Sequence, residues 1–131
     1  MADEKNSRRA LKALDAALEV LKAHGTRKRK TDAIQVNSGD MFMTLGQAQS
    51  FLSVALNEGK SLTELAEINA IPQSTLSRHL LDLGIQDRNR RPGFGLVIGD
   101  TDPMELRRKL YKLTDKGRRM KAQLIKSIAD I

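Results

Sequence analysis

At 131 residues and without a cysteine, the chain fits one small domain that has no disulfides and no Cys-ligated metal site. Its net charge of +7 and pI near 10 favour an anionic partner, most simply nucleic acid, although charge of this size also serves solubility. It lacks both an apolar run of transmembrane length and a signal peptide, so we expect a cytoplasmic protein with no membrane partner.

Leucines recur at spacings of three and four over residues 7–22, which predicts an amphipathic helix that Gly25 ends. The stripe consists of Leu11, Leu14, Leu18 and Leu21. It is too narrow to fold alone, so it packs either within the chain or at a subunit interface. Residues 26–43 follow, with the basic cluster TRKRK and the turn signal NSGD. A nucleic-acid-contacting arm and a solvated linker are equally compatible with this segment.

Two capping boxes predict where the next two helices begin. They are Thr44 with Gln47, and Ser61 with Glu64. We expect the first helix to run to about Leu56 and the second to about Ile68. The second helix is predicted to bury four apolar side chains: Leu62, Leu65, Ala66 and Ile68. Asn69 tolerates left-handed backbone and suits the tight turn that follows.

A third helix is predicted over residues 72–83, with Pro72 in its first turn and Gly84 after its end. Its inner stripe is Leu76, Leu80 and Leu83. The other faces present small polar groups and one cation, a surface that a DNA major groove accepts. These candidate contacts are Gln73, Ser74, Thr75, Ser77 and Arg78.

Each candidate on this helix also has a second interpretation. The three hydroxyls contact base edges or phosphates, or they cap the first helical turn. Arg78 recognises guanine, or it clamps a phosphate. Gln73 reads adenine, or it points sideways.

The segment after Gly84 is rich in arginine, and Arg88, Arg90 and Arg91 are candidate DNA contacts. Two short strands are predicted at residues 96–99 and 106–113, joined by a turn at residues 100–103. The second strand carries the cations Arg107, Arg108 and Lys109. Because neighbouring strand residues alternate between faces, we expect that all three cannot serve one surface. Thr114 caps a last helix over residues 115–129, with the stripe Met120, Leu124, Ile128 and Ile131.

The stretches LTELAEINAIPQSTLSRHLLDLG and DPMELRRKLYKLTDKG resemble the MarR family of transcriptional regulators over about residues 44–130. The second stretch is the more specific one. Leu113, Thr114 and Gly117 keep the motif that closes the family's wing, and Arg107 holds its arginine position. Glu105 stands where the family usually has aspartate, and the Arg-rich segment before the wing is longer than usual. That segment either adds backbone contacts to DNA or only lengthens a connection.

The resemblance implies a mainly α fold with a small β-hairpin wing, a winged helix-turn-helix between N- and C-terminal dimerisation helices. The expected regions are 1–25, an N-terminal dimerisation helix; 26–43, a basic linker or arm; 44–113, the DNA-binding region; and 114–131, a C-terminal dimerisation helix. It further implies a homodimeric, sequence-specific regulator of double-stranded DNA, acting as a repressor. The third helix would enter the major groove and Arg107 the minor groove, with Glu105 orienting Arg107 by a charge-assisted hydrogen bond.

The distribution of charge along the chain agrees with separate segments for base contacts and phosphate contacts. Residues 44–84 carry a net charge of −2, whereas residues 85–113 and 114–131 carry +3 each. Flanking segments of this kind grip phosphates while a less charged element reads the bases. The acidity of residues 44–84 also leaves an alternative, in which the fold serves as a protein-interaction or architectural adaptor.

Other functions find little support in the sequence. No Ser/His/Asp grouping, metal-ligand cluster or phosphate-binding loop stands out, so we expect neither an enzyme nor a cofactor or metal. His24 and His79 lack neighbours at ligand spacing. Many MarR-family members respond to small ligands, but four aromatic residues and no cysteine predict weak or absent small-molecule control here.

Overall fold

The computed structural model describes residues 2–27, 41–86 and 91–129. Five helices and five strands lie in these ranges, and the fold is mainly helical with a small β-sheet, as predicted. In chain order they are α1 (Ala2–His24), β1 (Thr26–Arg27), β2 (Met41–Phe42), α2 (Leu45–Leu56), β3 (Lys60–Ser61), α3 (Leu62–Asn69), α4 (Gln73–Leu83), β4 (Val97–Asp102), β5 (Glu105–Leu113) and α5 (Asp115–Ile128). Strands β1 and β2 pair with each other, and the second sheet is antiparallel in the order β3-β5-β4.

Both predicted capping boxes are present. The Thr44 hydroxyl accepts from the Gln47 backbone N–H at 3.1 Å, and the Gln47 side chain accepts from the Thr44 N–H at 2.9 Å. Ser61 and Glu64 repeat the arrangement at 3.3 and 3.2 Å. The Ser61 backbone N–H, followed by the Ser61 hydroxyl, lowers the pKa of Glu64. The starts of α2 and α3 are therefore set by local side-chain chemistry.

The turn between α3 and α4 differs from the prediction. Ala70, not Asn69, has the left-handed backbone, with φ of 52°. Asn69 is the last residue of α3, and its amide donates to the Leu65 carbonyl at 2.9 Å and to the Ser53 hydroxyl of α2. Its role is to tie two helices together. Ile68, predicted to be buried, is 54% exposed and does not belong to the residues that pack in or against the core.

Helix α4 starts one residue later than predicted, with Pro72 as its N-cap, and buries its leucine stripe as expected. The segment after it, residues 93–96, runs back along its C-terminal end. Four backbone N–H groups of this segment donate to carbonyls of residues 82–85 at 2.8–2.9 Å. The Asp82 and Leu83 carbonyls are acceptors that the end of a helix leaves unpaired, so the described part of the long connection braces α4. A Cβ at Gly93 would lie 2.1 Å from the Gly84 carbonyl oxygen, which requires glycine there.

The hairpin formed by β4 and β5, the wing, is longer than predicted. Asp100 and Thr101 were assigned to the turn, but they pair with Leu110 and Lys109 in the ladder. The turn lies at residues 103–104. The prediction was wrong because turn-favouring composition does not prevent strand pairing when a partner strand is adjacent. Strand β3 was not predicted, since two residues carry no periodic signal.

The core lies between α2, α3, α4, the base of the wing and α5. It is largely aliphatic, as composition predicts, with Phe51 and Phe94 as its buried aromatic residues in the described ranges. Tyr111 packs at its edge, and burial raises the pKa of its phenol. This core fixes the position of α4 relative to the wing.

The terminal helices pack on each other. Helix α1 is longer than predicted, and it meets the rest of the chain through Ala13, Ala17 and Val20. The predicted leucine stripe mostly faces outward: Leu11, Leu14 and Leu18 are 66%, 56% and 41% exposed. In α5, Thr114 caps the helix as expected, and Met120 and Leu124 are buried. No helix in the described ranges is long and apolar enough to cross a lipid bilayer.

Candidate nucleic-acid interface

An open groove of about 560 Å³ runs between α4, the start of α3 and the wing. We call it the α4–wing groove. Its lining residues come from all three elements: Ser61, Leu62, Thr63, Ser77, Leu81, Glu105, Arg107, Arg108, Lys109 and Tyr111. Candidate residues that sequence analysis placed on α4 and on β5 thus meet at one surface.

The outer face of α4 carries polar groups that are free to meet a partner. Ser74, Thr75 and Arg78 are exposed, and Ser77 is half-buried on the groove wall. The N-cap of α4 is Pro72, which makes no side-chain cap. Within the described ranges, the hydroxyls of Ser74, Thr75 and Ser77 make no hydrogen bond, so they do not cap the helix. The three hydroxyls are therefore available to a partner, and their contact with DNA stays a prediction.

Gln73 behaves differently from its neighbours. Its side-chain amide donates to the Thr63 hydroxyl at 2.6 Å. This bond ties the first turn of α4 to α3. The arrangement matches the sideways orientation, and it does not aim the amide at a base.

The wing cations fall into two groups. Arg107 and Lys109 have no ion-pair partner among the described residues, and both are exposed at the groove. Arg108 and Lys112, on the alternate positions of β5, are engaged: Arg108 binds Asp102, and the Lys112 Nζ lies 2.9 Å from the Asp100 carboxylate. Strand alternation therefore separates cations that are available from cations that are neutralised.

Arg108 nevertheless reaches the same groove as Arg107 and Lys109. Within this groove the Arg108 guanidinium is held by Asp102, whereas Arg107 and Lys109 have no ion-pair partner among the described residues. That the three do not all bind one partner surface stays a prediction. The ladder shifts register between Thr101 and Asp102. An irregularity of this kind increases the local twist of a hairpin.

Asp102 is the central polar residue of the wing. It is 3% exposed, and its carboxylate accepts from the Met104 backbone N–H at 2.9 Å and from Arg108 Nε and Nη2 at 2.9 and 2.6 Å. The Met104 N–H, followed by Arg108, lowers the pKa of Asp102. Asp102 in turn raises the pKa of Arg108. The structure does not contain the expected Glu105–Arg107 pair; the carboxylate that orients a wing arginine is Asp102, and that arginine is Arg108.

Several predicted contacts lie elsewhere. Arg91 is exposed at the start of the segment that braces α4. Arg88 and Arg90 lie outside the described residues, as do residues 28–30 of the basic cluster.

Several solved structures are similar to this fold. The PcaV transcriptional regulator from Streptomyces coelicolor, in complex with its natural ligand, is 27% identical over 67% of this chain and 57% of that chain, with a TM-score of 0.52. CouR, a transcriptional repressor bound to a 23-mer DNA duplex, is 22% identical over 98% of this chain and 73% of that chain, with a TM-score of 0.55.

A MarR transcriptional regulator from Methanosarcina mazei Go1 matches 98% of this chain and 75% of that chain, at 15% identity and a TM-score of 0.59. The chain has the winged-helix fold of the MarR family. It spans little more than half of the PcaV chain. Comparisons with protein-family models and with curated proteins find no match.

The wing of this MarR-type fold holds residues that sequence analysis did not single out. Asp102 was interpreted only as part of a turn, although an aspartate six residues before an arginine in a hairpin can pair with it. Met104 and Leu106 are 91% and 77% exposed beside it. Their exposure has no signal in the sequence, since apolar residues in a strand pattern are normally assigned to the core.

A mostly apolar cavity of about 230 Å³ lies between α1 and the start of α2. Leu18, Leu21, Phe42, Met43 and Leu45 form most of its wall, and Phe42 is the aromatic residue there. Pockets for small ligands usually measure roughly 300–1,000 Å³. This cavity is smaller than that range, and weak small-molecule control stays a prediction.

The His79 side chain packs against α2. Its Nδ1 lies 2.8 Å from the Ser50 hydroxyl of α2, and a Cβ at Gly46 would lie 3.0 Å from the imidazole ring. This contact joins α2 to α4. Among the described residues, no group of three His, Asp or Glu side chains is arranged to hold a metal ion.

Proposed function

We propose that this protein is a sequence-specific regulator of double-stranded DNA that acts as a homodimer, most simply a repressor. Helix α4 enters the major groove through Ser74, Ser77 and Arg78. The wing meets the adjacent minor groove and its phosphates through Arg107 and Lys109.

The observation that carries the proposal is the α4–wing groove with its unengaged polar groups. Arg107 and Lys109 at the groove, and Arg78 on the outer face of α4, lack ion-pair partners in the described ranges, whereas Arg108 and Lys112 of β5 are paired. Long cationic side chains without partners at one groove suit a polyanion, because they bind phosphates without first breaking an internal pair.

The acidity of residues 44–84 gives little support to the adaptor alternative. Three of the four carboxylates in this segment have structural partners. Glu58 accepts from the Leu113 backbone N–H at 2.7 Å, Glu64 closes the α3 capping box, and Asp82 accepts from the Gln47 amide at 3.1 Å. Three carboxylates of this segment therefore have roles within the fold, which accounts for part of its acidity without a protein partner.

A homodimer is supported by apolar side chains on the terminal helices. Leu11, Leu14 and Leu18 of α1 and Ile125 and Ile128 of α5 are 41–66% exposed. The inner faces of the same helices already hold them to the chain. A stripe of this kind is stabilised when a second copy buries it.

Arg78→Ala tests the assignment of α4 by fluorescence anisotropy on two duplexes. On the duplex preferred by the wild-type protein, we expect a loss of about 1–3 kcal/mol, because arginine forms two bonds to guanine in the major groove. On a duplex of random sequence the loss should be small. Equal losses on both duplexes would assign Arg78 to a phosphate and not to a base.

A further inference from the structure

The wing tip, residues 102–106, displays two large apolar side chains to solvent. Met104 is 91% exposed, more than any other large hydrophobic residue in the described ranges, and Leu106 is 77% exposed. Pro103 lies beside them in the turn. Apolar side chains stabilise a protein through burial, so this pair contributes little to the isolated chain. It is available for contact with another surface.

The tip is held in a defined shape. The buried Asp102 carboxylate accepts the Met104 backbone N–H at 2.9 Å, and the same carboxylate binds Arg108 at 2.6 and 2.9 Å. One side chain thus fixes the turn to the strand that follows it. Met104 therefore projects from an ordered turn, which reduces the entropy lost when it binds.

The surroundings of the tip indicate the chemistry of its partner. Arg107 and Lys109 follow directly on β5 and line the α4–wing groove without ion-pair partners in the described ranges. Glu105 lines the same groove, where the basic residues outnumber it. Apolar groups beside available cations fit the DNA minor groove, which offers sugar and base edges between two rows of phosphates. Proteins that bind there insert Met, Leu or Pro between base steps and kink the duplex.

We propose that the wing tip is an apolar wedge: Met104, with Leu106 beside it, enters the minor groove and partly unstacks one base step. The duplex bends at that step, and Arg107 and Lys109 bind the flanking phosphates. This inference rests on the proposed DNA-binding function. It adds that the protein deforms its site, so that flexible pyrimidine–purine steps under the wing are preferred.

The test uses the full chain and a duplex carrying its selected site. 2-Aminopurine replaces single bases under the wing to report unstacking, and end-attached fluorophores report bending by energy transfer. We expect the wild-type protein to raise the 2-aminopurine signal at one step per wing and to bend the duplex by about 20–90°. The variant Met104→Ala/Leu106→Ala should bind within about tenfold of the wild type, but lose the signal and at least half of the bend.

Two further variants make the result specific. Leu56→Ala removes a side chain that is 78% exposed on α2, outside the groove, and should change neither readout. Met104→Gln keeps the side-chain length but loses its apolar character, and should behave like the alanine variant. Full bending and unstacking by the double variant would overturn the wedge and leave the DNA-binding function intact.

Failure of the wild-type protein to bind any duplex would instead overturn the proposed function. Vesicles of phosphatidylcholine and phosphatidylserine provide the remaining comparison. Vesicle binding that the double variant loses, with no change in DNA bending, would assign the tip to a membrane surface and refute the wedge.

Discussion

The different pairing of the wing cations leads to a quantitative prediction for Arg107→Ala. Arg107 has no ion-pair partner in the described ranges, so its whole charge is available to a phosphate. Each phosphate contact contributes about −0.9 to the slope of log affinity against log salt on duplex DNA. Between 50 and 200 mM salt, the affinity of a variant that has lost one contact should therefore fall by a factor about 3.5-fold smaller than the affinity of the wild type does.

Lys112→Ala is the matched control on the same strand. The Lys112 ammonium already lies 2.9 Å from the Asp100 carboxylate, so its removal takes away little free charge and should leave the slope within roughly 0.2 of the wild-type value. Anisotropy titrations at five salt concentrations give the three slopes. Lys109→Ala should reproduce the Arg107 result. Equal slopes for Arg107→Ala and Lys112→Ala would refute the claim that pairing within the wing decides which cations bind phosphate.

Two other substitutions test the wing and the dimer. Asp102→Asn should lower the melting temperature at pH 7, with the difference from the wild type disappearing as pH falls. Because the folded-state pKa of Asp102 is lowered, its stabilisation is fully present above the ordinary value of about 3.9 and is lost as pH falls through the folded-state value. Asp100→Asn, which loses only an exposed pair, should melt nearly as the wild type does at every pH; equal behaviour of the two variants would contradict the role of Asp102. Leu14→Asp should weaken dimerisation by about 100-fold or more in sedimentation experiments, since it places two charges in one apolar interface. Leu56→Asp is its control, and a monomeric wild-type protein would refute the dimer.

Elements with strong local signals were predictable from the sequence. Thr44 with Gln47 and Ser61 with Glu64 each form a capping box whose partners lie three residues apart, so the starts of α2 and α3 depend on nothing distant. The buried face of α4 was predictable from its leucine stripe, because helical periodicity is a local property of the sequence.

Features that depend on tertiary contacts were not predictable. Asn69 is a residue type that favours turns, but its side chain contacts Ser53 on α2 and so links the two helices. Ala70 takes the left-handed position instead. Asp100 looked like a turn residue and became a strand residue because Leu110 lies opposite.

In the candidate site, the sequence identified which wing residues are cations but not which of them are available. The availability of the three cations differs because the Asp102 carboxylate, on the other strand of the wing, binds Arg108 and leaves Arg107 and Lys109 unpaired among the described residues. The resemblance to the MarR family also assigned the orienting carboxylate to Glu105. In the structure a different acid, Asp102, binds a different arginine, Arg108.

Selection of binding sites from a pool of random duplexes tests the central claim most directly. We expect enrichment of a site with two related halves centred about one helical turn apart, and a log affinity that falls linearly with log salt. Recovery of no preferred site, or an affinity that does not change between 50 and 200 mM salt, would contradict it.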